Sequence, residues 1–323
     1  MLSLIIPVFY KNADSFIYKR ALELIEKFKE KETFEVIFAD CSKDCLLKSN
    51  YTHIKILHSP SKARIFSPAY ARNAAVNLAT QKYLFFYDVD MDYSSDFESL
   101  LSQEIESKLE SGKERFISLP FLYLTFEGTK AFENTRDFTT LLISFLKGEN
   151  HLVESLSANS SAIILKKEYF ESLGGFREGF LGHGGEDFEF LHRLAALNPH
   201  SQKPKDYYTD VRHQFLGDAK GFRAYLSFYS LPYFFKGLVL LHRWHSRPLM
   251  NIFYFRRKPN EALLLESMRC FDIQNANCVW HSHNPTKDLR LFILSLMNCY
   301  GYEKEDYSGF FQLGKGVKPR KKP

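Results

Sequence analysis

Cysteine is scarce and unpatterned in this chain. Cys41, Cys45, Cys270, Cys278 and Cys299 are odd in number and form no CxxC pair, so neither a disulfide framework nor a cysteine zinc site is indicated. A reducing cytoplasm fits this usage best. Neither GxGxxG nor GxxxxGKS/T occurs, so the backbone cradle that holds phosphates in dinucleotide and P-loop folds is missing. An excess of one charge is missing too. Lys and Arg number 43 against 38 Asp and Glu, a formal +5 that is too mild to imply a nucleic-acid partner. The most apolar stretch, 222–241, is interrupted by Arg223 and Lys236, and Pro232 would break a spanning helix. A buried or interfacial helix is expected there rather than a membrane span. Met1 leads at once into the strand-like Leu2–Val8 with no basic run, so no signal peptide is expected. No repeat is visible, and no biased tract before the basic tail 315–322.

What is present is enough for a sizeable core: 323 residues, 45% hydrophobic, with 31 Phe and 18 Tyr. Leu2–Val8 reads as a buried strand, and Ile17, Ala21, Leu24, Ile25 and Phe28 recur at helical spacing. A second strand spans Phe34–Ala39 and ends in Asp40, and Ile54–Leu57 forms a short third. Ser67 and Pro68 start a helix through Leu78. This alternation implies a parallel sheet with right-handed crossovers. Further strands are expected at 116–119, 121–124 and 160–165, with helices at 100–109 and 167–173.

Two stretches carry chemistry. In Tyr83–Asp90 an apolar run ends in Asp88 and Asp90, read as a strand delivering two acids on one side at its C-terminal edge, where open α/β sheets bind ligands. Without a glycine loop, phosphates need a metal such as Mg²⁺ or Mn²⁺ and a basic side chain; Asp88, Asp90 and Arg72 are placed for this. The plainer reading is that the acids only cap a strand. In Gly179–Phe190 two glycine pairs precede Glu186 and Asp187 at the start of a helix over 188–197. Adjacent acids face different ways and take different jobs; the plainer reading here is helix capping.

The ordered set Leu4–Val8, Phe38–Ser42, Ala71–Ala75 and Asp88-Val89-Asp90 resembles family-2-type GT-A glycosyltransferases. Gly182–Asp187, followed by His245-Ser246-Arg247, is similar to the β-1,4-galactosyltransferases and to the transferase domains of chondroitin-type capsule polymerases. The resemblance implies a GT-A fold, a mixed α/β sheet flanked by helices, over 1–250, with a mainly helical extension over 251–323 that supports the site or binds partners. It implies Asp90 and His245 as metal ligands for Mn²⁺ or Mg²⁺, with His242 as the alternative to His245. It implies Asp187 as catalytic base, Glu186 as acceptor-binding, and Pro7, Asp40, Arg72, Asp88 and Asp90 as donor-binding. His183 stands where these families carry a tryptophan beside the acceptor, and is expected to line that pocket.

The implied reaction is inverting transfer of a sugar from a UDP-sugar to a glycan acceptor in capsule or lipopolysaccharide synthesis. A single DxD and a single GGED imply addition of one sugar type. Peripheral attachment to the inner membrane face or to capsule-assembly partners is the expectation for the basic tail. Three other readings compete. Gly184–Phe188 superficially resembles the GGDEF of diguanylate cyclases, but there the metal acids lie much closer upstream. A degenerate assembly subunit is disfavoured by the intact Asp90, Glu186 and Asp187. A nucleic-acid module is disfavoured because the aromatics follow core patterns.

Overall fold

The computed structural model describes residues 2–60, 65–159, 161–211, 213–246, 252–276, 282 and 284–320. In chain order the elements are β1 (Leu2–Val8), α1 (Phe16–Phe28), β2 (Phe34–Asp40), β3 (Ile54–His58), α2 (Pro68–Val76), β4 (Tyr83–Phe86), β5 (Met91–Asp92) and α3 (Phe97–Glu104). There follow β6 (Phe116–Ser118), β7 (Phe121–Leu124), α4 (Phe126–Thr135), α5 (Phe138–Leu146), β8 (Val153–Ser157), β9 (Ile163–Lys166) and α6 (Lys167–Ser172). The last are α7 (Glu186–Leu197), α8 (Gly221–Phe235), β10 (Leu240–His242), α9 (Ile252–Phe255), α10 (Arg257–Gln274) and α11 (Leu289–Cys299).

The main sheet has the order β3-β2-β1-β4-β9-β6. Its first four strands are parallel, with Leu4 opposite Val36 and Phe85. The C-terminal ends of β1, β2 and β4 therefore share one edge. β1 is buried on both faces because helices cover both. Leu4, Ile6, Phe38 and Phe85 pack with Ala21, Leu24 and Phe28 of α1 on one side. Ile5, Ile37 and Phe86 pack with α2, α7 and α10 on the other. A smaller sheet, β5-β10-β7-β8, has its own core against α5, α8 and α11. The mixed α/β architecture flanked by helices is the one expected of a GT-A protein.

Several boundaries differ from the sequence reading. β4 ends at Phe86, so Asp88 and Asp90 lie beyond the strand, in a turn closed by a 3.1 Å bond from Met91 N to Asp88 O. The ladder has run out at that point: Tyr87 N makes the last bond to β1, at Ile5 O. The stretch 222–241 is not one helix. α8 runs through Pro232 and stops at Phe235, and after Gly237 at φ 79° the chain becomes β10. No helix among the described residues is long and apolar enough to cross a membrane. α3 continues as a π-helical turn over Ile105–Glu110. Ser160, Cys278, Arg247, Lys321 and Lys322 lie outside the described residues. The four described cysteines are free thiols.

Candidate active site

The turn after β4 sends its two acids in different directions. Asp88 turns toward α2: its Oδ1 accepts from Arg72 Nη2 at 2.8 Å and its Oδ2 from Ser161 Oγ at 2.6 Å. Asp90 turns toward β10. Antiparallel pairing of β10 with β5 sets His242 opposite Met91, and Arg243 N donates to Asp90 O at 2.9 Å. Two segments some 150 residues apart in sequence thus meet by strand pairing.

Asp90 Oδ2 lies 3.2 Å from His242 Nε2 and 3.4 Å from His245 Nε2. All three ligand atoms fall within 4.8 Å of one another. Ligands about 2.0–2.2 Å from one ion sit roughly 3.0–3.5 Å apart at neighbouring positions, so both Asp90 separations suit a shared divalent cation. The donor set of one carboxylate oxygen and two imidazole nitrogens favours a first-row transition ion such as Mn²⁺ over Mg²⁺, which prefers oxygen. His245 Nδ1 lies 3.1 Å from Ser246 O, and donating to that carbonyl leaves Nε2 as the ligand atom. Burial by itself pushes the Asp90 carboxyl up, but the charge and hydrogen bonds of His242 and His245 outweigh it and hold it well below the ordinary range. His242 and His245 are therefore joint neighbours of Asp90 rather than alternatives.

The second cluster is built on α7. Gly185 has φ 108° as the residue before the helix, and a Cβ there would meet the Phe180 ring at 2.7 Å. Only glycine fits this turn, which places Glu186 and Asp187 in the first turn of the helix, where the dipole favours acids. Asn260 of α10 braces the loop from outside, its Nδ2 donating to the carbonyls of Leu181, His183 and Gly184 at 3.0, 3.2 and 2.9 Å. Arg72, 2% exposed, donates from Nη1 to Glu186 Oε1 at 2.9 Å while its Nη2 holds Asp88. One guanidinium therefore faces three carboxylates. Burial raises the Glu186 carboxyl, the Asp187 charge raises it further, and Arg72 only partly opposes them. Asp187 is also raised, by burial and by Asp88 against the pull of Arg72 and Arg223. Asp187 remains half-exposed, and the second oxygen of Glu186 meets no hydrogen-bond partner among the described residues.

The remaining expected residues are spread along the same edge. Pro7 lies buried near the end of β1, opposite Ala39. Asp40 ends β2 fully buried, accepting from the Tyr10 hydroxyl and, at 2.9 Å, from Ser42 N. His183 is half-buried, its ring 5.7 Å from Phe253 and 5.2 Å from Tyr254. Ser161 and Arg223 were not foreseen. Both are common residue types at long sequence separation, so neither carries a local signal. Arg223 pairs with Asp210 and lies over the Phe188 ring at 4.4 Å.

A family model described as Glycosyltransferase like family 2 matches residues 3–269. No curated protein matches the chain. Among solved structures, residues 1–349 of TarS from S. aureus in complex with UDP are 18% identical, with 61% of this chain and 55% of that one covered and a TM-score of 0.40. That match spans little more than half of the TarS chain. The complex of the same fragment with UDP-GlcNAc is 14% identical over 84% of this chain and 92% of that one, at a TM-score of 0.41. The mannosyltransferase PcManGT from Pyrobaculum calidifontis, in complex with GDP-Man and Mn²⁺, is 14% identical over 96% of this chain and 71% of that one, at a TM-score of 0.42.

Proposed function

Because the chain belongs to Glycosyltransferase like family 2, and is thus a sugar-transferring enzyme, we propose that it moves one sugar from a UDP-sugar to a hydroxyl of a surface glycan with inversion. The observation that supports this most is that one turn feeds two clusters. Asp90 enters a cation-binding set with His242 and His245, and Asp88 enters a carboxylate set with Arg72, Glu186 and Asp187. Inverting transfer from a nucleoside diphosphate uses a counter-charge for the leaving diphosphate and a base for the acceptor hydroxyl, and the two clusters offer one of each.

A bound divalent cation supplies neutralisation of the charge that develops on the leaving diphosphate. Asp90, His242 and His245 would hold it, with Mn²⁺ preferred for their nitrogens. Asp187 takes the proton of the acceptor hydroxyl as that oxygen bonds to the anomeric carbon and the bond to the diphosphate breaks. A carboxyl raised above its ordinary value is a stronger base once ionised, which suits this role. One base and one displacement invert the centre, giving a β-linkage from an α-linked donor. Glu186 is assigned to the acceptor side on the family resemblance, and His183 lines that side in place of tryptophan. Arg72 orients Asp88 and Glu186, while Pro7 and Asp40 face the nucleoside, the latter after the Tyr10 hydroxyl is displaced. UDP is preferred over other nucleotides on the family resemblance alone.

We assign the transferase to residues 1–250, with 251–323 as its support, since Asn260 braces the loop before Glu186. The setting proposed is capsule or lipopolysaccharide assembly at the inner membrane face, with the basic tail as the point of attachment. Incubation with a panel of UDP-sugars, Mn²⁺ and capsule oligosaccharides, followed by NMR of the product, tests the reading. A β-anomeric coupling in one product supports it; an α-linkage refutes inversion, and no UDP release from any donor favours a degenerate assembly subunit.

A further inference from the structure

His242 is fixed by the strand pairs of β10, but His245 lies three residues on, past the end of the ladder. Something else must fix it. Arg20 of α1 donates from Nη1 to Arg243 O at 3.3 Å and from Nη2 to Trp244 O at 2.7 Å. Those two residues are the whole spacer between the histidines, so one guanidinium fixes both peptide planes. Phe16, one helical turn earlier on the same face, stacks on the His245 ring at 4.8 Å and 15°.

A second pair holds the spacer from the other side. Thr129 Oγ1 on α4 accepts from Trp244 N at 2.8 Å, and Glu133, one turn later, lies 3.5 Å from Arg243 Nη1. Glu23 holds the same nitrogen at 2.7 Å. The two acids offset the repulsion between the neighbouring guanidinium groups of Arg20 and Arg243.

We propose that Arg20 is a positioning residue for the cation site, acting with Phe16 to hold His245 beside His242 and Asp90. It acts through His245, setting the direction from which that residue's Nε2 approaches. This rests on the assignment of Asp90, His242 and His245 as cation ligands.

The test is Mn²⁺ affinity of the full chain, read from the electron paramagnetic resonance of free Mn²⁺, beside thermal melting in EDTA. Outer-shell partners of metal-binding histidines are typically worth about 10–100-fold in affinity. Arg20→Ala is expected to weaken Mn²⁺ binding in that range without lowering the EDTA melting temperature. Arg20→Lys, whose ammonium lacks the planar fork that spans two carbonyls, should recover part of the loss. Phe16→Leu keeps apolar bulk but removes the stack, and should weaken Mn²⁺ as well. Unchanged Mn²⁺ affinity in Arg20→Ala and Phe16→Leu, whether or not melting is lowered, overturns the proposal. A wild type that binds no Mn²⁺, or an Asp90→Ala variant that binds it equally well, overturns the cation site and the proposal with it.

Discussion

Arg72 donates to Asp88 and Glu186 from a buried position, and its charge also acts on Asp187, which Arg223 approaches as well. Burial is the main cause that raises both carboxyls of the Glu186–Asp187 pair, and the charge of Arg72 only partly opposes it. For the reaction, Asp187 must be ionised, so kcat/KM should rise with pH through the raised carboxyl rather than level off at the ordinary carboxylate pKa of about 4. For stability the sign is opposite. The folded state binds more protons than the unfolded one in that window, so this pair's contribution is full at low pH and is lost as pH rises. Melting temperatures of Glu186→Gln should therefore improve relative to wild type as pH increases; a constant difference across pH would contradict the raised carboxyl. Asp187→Asn should lower turnover about 10²–10⁴-fold, the range for a positioned general base, with UDP binding retained. Turnover near wild type in that variant would remove Asp187 from the base role.

At the scale of elements, α7 depends on what precedes it and what lies across it. Gly185→Ala forces a Cβ into the Phe180 ring at a φ that side chains avoid. It should cost activity more than fold, because the turn sets where Glu186 and Asp187 emerge. Circular dichroism beside a turnover assay checks this. Across α7, Asp272 of α10 lies 3.3 Å from the buried His192 and accepts from Lys203 and the Tyr208 hydroxyl. Burial pushes its carboxyl up, yet His192, Lys203 and Tyr208 together hold it well below the ordinary range. A depressed carboxyl stabilises the fold above its unfolded pKa and loses that contribution as pH falls. Asp272→Asn should cost about 2 kcal/mol at neutral pH, the scale of a hydrogen bond to a charged group, and chemical denaturation measures it.

Elements were also the level at which the sequence was most legible. The parallel strands ending at Val8 and Asp40, the start of the third strand of that edge at Tyr83, the Ser67-Pro68 helix start and the glycine turn before α7 all have local causes in pattern and capping. The divergence of Asp88 and Asp90 does not. It depends on where the β4 ladder loses its partners, and an apolar run followed by acids reads the same whether the chain stays in the sheet or turns. The joint placement of His242 and His245 depends on β10 pairing with β5, and the roles of Ser161, Arg20 and Asn260 depend on contacts between distant segments. A periodicity argument sees none of these.

On the scale of the whole molecule, the C-terminal residues complete two cores. Leu264 and Met268 are buried against the main sheet, and Ile293, Met297 and Phe310 against the small one. Burying one such side chain is worth about 1.5–3 kcal/mol, so together they match the roughly 5–15 kcal/mol stability of a typical domain. A chain truncated after residue 250 should therefore show no cooperative melting transition. The candidate cation site likewise joins distant elements: β10 pairs with β5 beside Asp90, while α1 and α4 hold residues 243–245. The most direct measurement is calorimetric titration of the intact protein with UDP, once with Mn²⁺ and once with EDTA, in wild type and Asp90→Ala. Binding by the wild type only when Mn²⁺ is present, and its loss in Asp90→Ala, is the predicted result. UDP binding of equal strength in EDTA, or retained Mn²⁺-dependent binding in Asp90→Ala, would contradict a transferase built on Asp90, His242 and His245.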